Sequence, residues 1–234
     1  MTRGKRYAAA LTKVDREQLY APDEGLALLK SSTGAKFDES VDAVFKLGVD
    51  PKQNENRIRS TVVLPRGRGK TERVLVFAKG EKIKEAEEAG ADFVGGDDLI
   101  KKIEGGGLEF DRVIAAPDMM SGVGKLGRVL GPRGLMPSPK SGTVTPHVGD
   151  AVKEFKRGKI EFRLDDYGNI HAPFGKASFP AEHLRDNLVA LAAALVAEKP
   201  EGTKGKYIKG VTISTTMGPG IKLDPDKLLH LTSA

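Results

Sequence analysis

The feature that most constrains the fold is a change in the hydrophobic pattern of the strands along the chain. Ser40–Val49 alternates apolar and polar residues, which is typical of a strand with one face in the core and one in water. Val74–Ala78 and Val113–Ala116 are apolar without interruption, as in strands that are covered on both faces. Lys159–Leu164 returns to alternation. Two parts of different architecture must therefore share one chain.

The middle third alternates its apolar strands with short helices. Glu81–Ala89 and Asp97–Ile103 have the composition of helices, and each follows a strand. Strands of this kind, separated by helices, form parallel sheets covered on both faces. We therefore predict an α/β fold in two domains. Residues 68–158 form an inserted, Rossmann-like parallel α/β domain, and residues 1–67 and 159–234 form a split α+β domain with an antiparallel-rich sheet.

The charge of the chain favours a polyanionic partner. Its 234 residues include 38 Lys and Arg against 32 Asp and Glu, a formal net charge of +6. A basic balance of this kind is typical of proteins that bind nucleic acid, although it is not proof of one. The cations near the N-terminus, from Arg3 to Lys13, predict a solvated arm that can reach phosphate.

Several classes of site lack the residues they need. Cysteine is absent, which excludes disulfides, thiolate zinc sites and cysteine nucleophiles. The four histidines fall in different predicted elements without paired spacing, so we expect no metal and no cofactor. The longest apolar run, Leu188–Ala197, has about half of the ~20 residues that a membrane-spanning helix needs, so we expect no membrane partner.

Two glycine-rich segments resemble nucleotide-binding loops without completing the pattern. Gly67–Thr71 resembles the end of a phosphate-binding loop, but leucine occupies position 64, where the first glycine belongs. Gly122–Gly127 has the spacing of the dinucleotide fingerprint, yet His147 stands where an acidic residue should hold the ribose. A nucleophile elbow is also absent, so we predict that the chain is not an enzyme. A nucleotide-dependent enzyme that uses the middle domain is the alternative.

The last predicted strand presents a row of hydroxyl groups. Thr212, Ser214 and Thr216 alternate along it and therefore share one face. Small hydroxyls suit close approach to ribose and backbone, whereas the alternative is an ordinary solvated threonine-rich strand. Met217 and Gly218 follow directly, and a glycine there lets another backbone come near.

A second group of candidates stands at the entrance of the first alternating strand. Lys36 and Phe37 precede this strand, and Ser40 is its first residue. An exposed phenylalanine beside a lysine can rest on a sugar or base while the ammonium contacts phosphate. A phenylalanine that caps the core is the alternative, because most phenylalanines are buried.

One long motif is far more specific than these patterns. Gly127–Lys140, continued by Gly142–Val144, resembles the signature of the L-one family of large-subunit ribosomal proteins. The resemblance covers essentially the whole chain, because shorter motifs occur in that family's order and spacing at Ala35–Phe37, Val63–Pro65, Ile170–Ala172, Gly175–Lys176 and Ser214–Gly218.

The resemblance implies a function that the patterns alone do not. In that family a split domain grips a helical junction of large-subunit (23S) ribosomal RNA in the mobile stalk, and the inserted domain swings on two linkers. The proteins act in the cytoplasm, help deacylated tRNA leave the exit site and, in bacteria, repress their own operon mRNA. The resemblance therefore implies RNA-binding roles for Lys36, Phe37, Ser40, Thr216, Met217 and Gly218, with Arg163, Asp165 and His171 as weaker candidates. The hydroxyl row adds Thr212 and Ser214 to the expected RNA-binding residues.

Two expectations about association follow. Away from the ribosome the chain is expected to be monomeric. A protein–protein adaptor is a further alternative, and it predicts binding that is insensitive to salt, whereas phosphate contacts make RNA affinity fall steeply with salt.

Overall fold

The chain forms two compact units in a computed structural model that describes residues 4–51, 58–105, 109–200, 203 and 205–232. We call Met1–Gly69 together with Ile160–Ala234 the split unit, and Lys70–Lys159 the inserted unit. That the two units act as an RNA-binding domain and a swinging domain stays a prediction.

The helices and strands of the described residues follow one another along the whole chain. The helices are α1 (Lys5–Leu11), α2 (Pro22–Ser31), α3 (Glu81–Glu88), α4 (Asp97–Glu104), α5 (Met120–Val123), α6 (Gly127–Leu130), α7 (Val148–Arg157), α8 (Ala181–Ala197) and α9 (Pro225–Thr232). The strands are β1 (Ser40–Leu47), β2 (Arg59–Val63), β3 (Val74–Phe77), β4 (Phe93–Gly95), β5 (Arg112–Ala115), β6 (Lys159–Arg163), β7 (Asn169–Lys176), β8 (Ile208–Thr215) and β9 (Ile221–Leu223).

The split unit is built on a four-stranded sheet with the strand order β7-β1-β8-β9, antiparallel throughout. Strand β1 lies inside the sheet, and its alternate residues Val41, Ala43 and Phe45 are fully buried. This is the outcome of the period-two pattern, because successive side chains of a strand point to opposite faces. The residues between them face the other side of the sheet.

Helices α2 and α8 cover the buried face of this sheet. Leu26 and Leu29 of α2 and Leu188 and Leu191 of α8 share one core with Phe45. Pro22 opens α2 at a first-turn position where its missing N–H costs nothing. Each fully buried leucine contributes about 2 kcal/mol of hydrophobic stabilisation. One face of the sheet is therefore packed against helices, and the other face can present polar groups.

The inserted unit holds a parallel three-stranded sheet with the order β4-β3-β5. Its central strand is buried at every position. Leu75 and Phe77 face a core that includes residues of α4 and α5, whereas Val74 and Val76 face a second core with α7. The uninterrupted apolar strands thus find helices on both sides, as the pattern predicts.

The predicted fold class is confirmed: an α/β chain with an antiparallel sheet in one part and a separate parallel sheet in the other. The N-terminal segment predicted as a solvated arm forms α1, in which Lys5 and Arg6 are exposed, and its contact with phosphate stays a prediction. Its residue Arg6 donates a hydrogen bond to the carbonyl of Gly34 at 2.9 Å. Arg57–Leu64 also has the composition of a strand; β2 begins at Arg59, and residues 52–57 lie outside the described residues.

Candidate nucleic-acid interface

The face of the split unit's sheet that α2 and α8 leave uncovered, which we call the open face, brings most of the candidate residues together. On β1 the residues that alternate with the core are Ser40, Asp42, Val44 and Lys46, which are half-buried or exposed. Neighbouring strands are aligned with them residue by residue. Thr212 of β8 and His171 of β7 both pair with Val44, and Ser214 pairs with Asp42. Rows of side chains from three strands therefore share one surface.

A dense set of hydrogen bonds forms one corner of the open face, where β1 begins and β8 ends. The backbone N–H of Ser40 donates to Thr216 Oγ1 at 3.0 Å, and the backbone N–H of Thr216 donates to the Ser40 carbonyl at 3.1 Å. The Lys176 ammonium donates to Ser40 Oγ at 3.0 Å. The hydroxyl of Thr216 thus helps to fix the corner as well as being exposed at its surface.

Glu39 lies beneath this corner and joins its two loops. Only 2% of the residue is exposed, and its carboxylate accepts hydrogen bonds from the backbone N–H groups of Ala35 at 3.1 Å and Met217 at 2.9 Å. Burial raises the pKa of this carboxyl, but the hydrogen bonds that it accepts, first among them the one from the Met217 N–H, outweigh burial and leave the pKa below its ordinary value. A buried carboxylate thus connects segments 178 residues apart in sequence.

Two large apolar side chains project from the loops that Glu39 joins. Phe37 is 56% exposed and Met217 is 51% exposed, so neither belongs to the core. The core-capping alternative for Phe37 is therefore wrong. Lys36 is exposed beside them. Exposed rings and thioethers flanked by an ammonium group provide stacking surface for bases and sugars together with a phosphate contact.

Gly218 is required by the packing of the corner itself. A Cβ atom added there would lie 2.4 Å from the Oγ1 atom of Thr215, which is buried. Glycine is therefore needed at this position whether or not a backbone from another molecule approaches it. This internal reason was not visible in the sequence.

The weaker candidates Arg163, Asp165 and His171 gather around one groove beside the β6–β7 turn. Asp165 accepts hydrogen bonds from the backbone N–H groups of Tyr167 at 2.9 Å and Asn169 at 2.6 Å, and His171 Nε2 lies 3.3 Å from its Oδ2 atom. Partial burial raises the pKa of Asp165, but these hydrogen bonds lower it by more, so that the pKa is about 2. Asp165 thus orders the turn, while Arg163 and His171 stay exposed.

Further polar groups on the open face were missed by the sequence analysis. Asp42 lies in the row between Ser214 and Pro173, and burial raises its pKa against the opposing charges of Arg68, Lys176 and His171. Lys46 and Lys222 are exposed on the same face. The period-two pattern could have identified Asp42 and Lys46, because it assigns them to the face opposite the core. Lys222 belongs to β9, which the sequence analysis did not predict.

Groups typical of catalytic or metal sites are sparse in the described residues. No cluster of three or more His, Asp or Glu that could hold a metal occurs among them. In the inserted unit, a Cβ atom on Gly122 would lie 2.8 Å from Ile100 Cδ1, so the first glycine of the fingerprint-like segment packs against α4. None of the described helices is long and apolar enough to span a membrane.

The split unit carries an open, hydroxyl-lined sheet face and is interrupted in sequence by a parallel α/β unit. This arrangement defines the class of α/β proteins to which the L-one resemblance points. Comparison with known proteins agrees. The model of the Ribosomal protein L1p/L10e family matches residues 28–219, and the chain belongs to this family.

The relatives are similar over almost their full length. The chain is 57% identical over 225 residues to the large ribosomal subunit protein uL1 of Cutibacterium acnes, which covers 96% of this chain and 97% of the relative. It is 55% identical over 227 residues to the large ribosomal subunit protein uL1 of a Nocardioides species, covering 97% and 95%. The resemblance inferred from the motifs is therefore confirmed.

Proposed function

We propose that the chain is a structural component of the large ribosomal subunit that binds 23S ribosomal RNA through the open face of the split unit. The relatives' names place those proteins in the large subunit. The observation that carries the proposal is the corner of the open face, where exposed Phe37, Met217 and Lys36 stand on a hydrogen-bonded scaffold. Preordered apolar and cationic groups of this kind recognise RNA shape at low entropic cost.

The candidate residues take different parts in this proposal. Phe37 and Met217 offer stacking and apolar contact, and Lys36 contacts phosphate. Ser40, Thr212, Ser214 and Thr216 offer hydroxyl groups to ribose and backbone. Gly218 keeps the corner compact, and Arg163, Asp165 and His171 form a second contact area at the β6–β7 turn.

We extend the proposal to the finer functions that the family resemblance implies. The inserted unit assists release of deacylated tRNA from the exit site, and the RNA-binding face also recognises the chain's own operon mRNA and represses its translation. The chain acts in the cytoplasm on the ribosome and is monomeric when free. These functions require no cofactor and no catalytic residue, and they all depend on the same RNA surface or on the inserted unit beside it in sequence.

The test is binding of the purified protein to the stalk region of 23S ribosomal RNA, compared with an unrelated hairpin of equal length across a salt titration. We expect tight and selective binding that weakens with salt, because released counterions drive phosphate contacts. Equal, weak binding to both RNAs would contradict the proposal. Binding to a protein partner that is insensitive to salt would favour the adaptor alternative.

A nucleotide-dependent enzyme that uses the inserted unit makes a separate prediction. It requires saturable nucleotide binding, which Gly124→Val would abolish by blocking the approach to the glycine-rich segment. Absence of saturable binding to the wild-type protein would exclude nucleotide binding at this segment.

A further inference from the structure

A groove of about 540 Å³ lies on the split unit, toward the end of β1 that is distant from the corner. Val44 and Leu223 provide apolar surface, Thr212 provides a hydroxyl, and Lys46, Lys209 and Lys222 stand around it. We call it the lysine groove. None of its lysines was among the candidates that the sequence indicated.

The three lysines have free ammonium groups. All three are exposed. Within the described part of the chain, none of them forms an ion pair or a side-chain hydrogen bond. Two aspartates also line the groove: Asp226 pairs with Lys206, a further lining residue, at 2.7 Å, whereas Asp224 accepts a neutral backbone N–H, that of Asp226, at 3.0 Å. The lining thus holds four lysines against two aspartates, so the groove carries a net positive charge.

The lysine groove is continuous with the open face. Val44 pairs with Thr212 on one side and with His171 on the other, and Thr212 pairs with Lys222 of β9. Lys46 and Lys222 stand two strands apart, which corresponds to about 10 Å at the usual strand spacing. An RNA strand that contacts the hydroxyls of β8 can therefore also reach the lysines along the same continuous surface.

We propose that the lysine groove is a second RNA contact area, in which the three lysines neutralise phosphodiester groups and the apolar floor accepts a ribose or base of the same RNA. The inference rests on the proposed function and deepens it. An apolar floor with a hydroxyl and several ammonium groups matches a nucleotide in all of its parts, because lysine binds phosphate as a point charge and ribose offers hydroxyls to Thr212. An acidic peptide would leave the hydroxyl row of β8 unused.

The experiment measures the salt dependence of binding to the stalk region of 23S ribosomal RNA for the full-length variants Lys46→Ala, Lys209→Ala and Lys222→Ala. Each phosphate contact contributes about 0.7–0.9 to the slope of log K against log salt, so each substitution should lower the slope by about that amount. The matched control is Lys227→Ala, which removes an exposed lysine on α9 and should leave the slope unchanged. Circular dichroism confirms that each variant is folded.

Slopes that stay at the wild-type value in all three variants would overturn the proposal that the lysine groove binds RNA, while leaving the proposed function intact. An equal decrease of the slope in the Lys227→Ala control would also overturn it, because the decrease would then follow from the lower net charge of the protein and not from a contact in the groove. If the wild-type protein itself fails to discriminate the stalk RNA from the unrelated hairpin, the proposed function fails instead. If an acidic peptide, but not the RNA, loses affinity for the variants, the groove binds protein and the proposal is wrong.

Discussion

Thr216 combines two roles: it is a candidate RNA-binding residue, and it also stabilises the corner of the open face. Its hydroxyl accepts the backbone N–H of Ser40 and lies at the exposed corner of the open face. We expect Thr216→Val to weaken RNA binding, because valine removes the acceptor of the Ser40 N–H and a hydroxyl from the proposed RNA surface. A loss of about 1–2 kcal/mol is typical for one such group. Filter binding against the stalk RNA measures it.

Met217 supplies the companion test at the same corner. Its side chain is half exposed, so Met217→Asp should leave the fold intact while placing a negative charge against phosphate. We expect a larger loss of RNA affinity than for Thr216→Val. Unchanged affinity in both variants would remove the corner from the RNA site.

Glu39 makes a prediction that separates positioning from stability. In Glu39→Gln the amide NH₂ must face at least one of the N–H donors of Ala35 or Met217, so one hydrogen bond is lost and the loops loosen. We expect RNA affinity to fall about tenfold at temperatures where the variant is folded, the size of effect that one unsatisfied buried donor has. Glu24→Gln, an exposed change on α2, is the control.

A double-mutant cycle identifies the route of that effect. If Glu39 acts by holding Met217, Glu39→Gln should cost little affinity in a Met217→Ala background, because interacting residues are not additive. Additive losses would assign Glu39 a purely structural role. A lower Tm with unchanged RNA affinity would do the same.

At the scale of elements, the β6–β7 turn depends on one ionised carboxyl. The pKa of Asp165 is held at about 2, below the ordinary value of 3.8, so the stability it provides is complete above about pH 4 and is lost as the pH falls toward 2. We expect Asp165→Asn to lower the free energy of unfolding by about 1 kcal/mol at neutral pH, after allowance for solvent screening. Urea unfolding from pH 7 to pH 2 should show the two proteins converging in acid.

The alternative result for the turn is a constant difference across that pH range. It would mean that the carboxyl titrates normally and that the hydrogen bonds to Tyr167 and Asn169 do not depend on its charge. The position of His171 beside Asp165 would then have no bearing on the ordering of the turn.

At the same scale, the strands were predictable where burial imposes a period and were missed where it does not. Strands β1 and β3 have strong patterns over their whole length, and both lie where those patterns indicate. β9 has only three residues, and too short a segment carries no detectable period. The pairing of β2 with β6 joins residues about a hundred positions apart, so no local pattern could indicate it.

For the whole molecule, the separation of the cores predicts that RNA binding survives loss of the inserted unit. The core of the split unit contains Phe45, Leu26 and Leu188, whereas the inserted unit has its own clusters on both sides of β3. We expect a variant in which a short linker replaces residues 68–158 to fold and to keep most of its affinity for the stalk RNA. Circular dichroism and RNA titration measure both properties.

The opposite result would relocate the site. Complete loss of RNA binding from a deletion variant that is still folded would place the essential contacts in the inserted unit. Loss of folding would show instead that the split unit needs the inserted chain to bring its two segments together.

By itself, the sequence determined the kinds of sheet, the order of most elements, the family and the residue types of the face that we propose to bind RNA. Hydrophobic periods report local burial, and the Gly127–Lys140 motif is long enough to be specific. Only the tertiary structure decided that Glu39 joins two loops, that Gly218 is required by Thr215, and that lysines of β1, β8 and β9 surround one groove. These facts depend on strand pairing between distant segments, which no local pattern encodes.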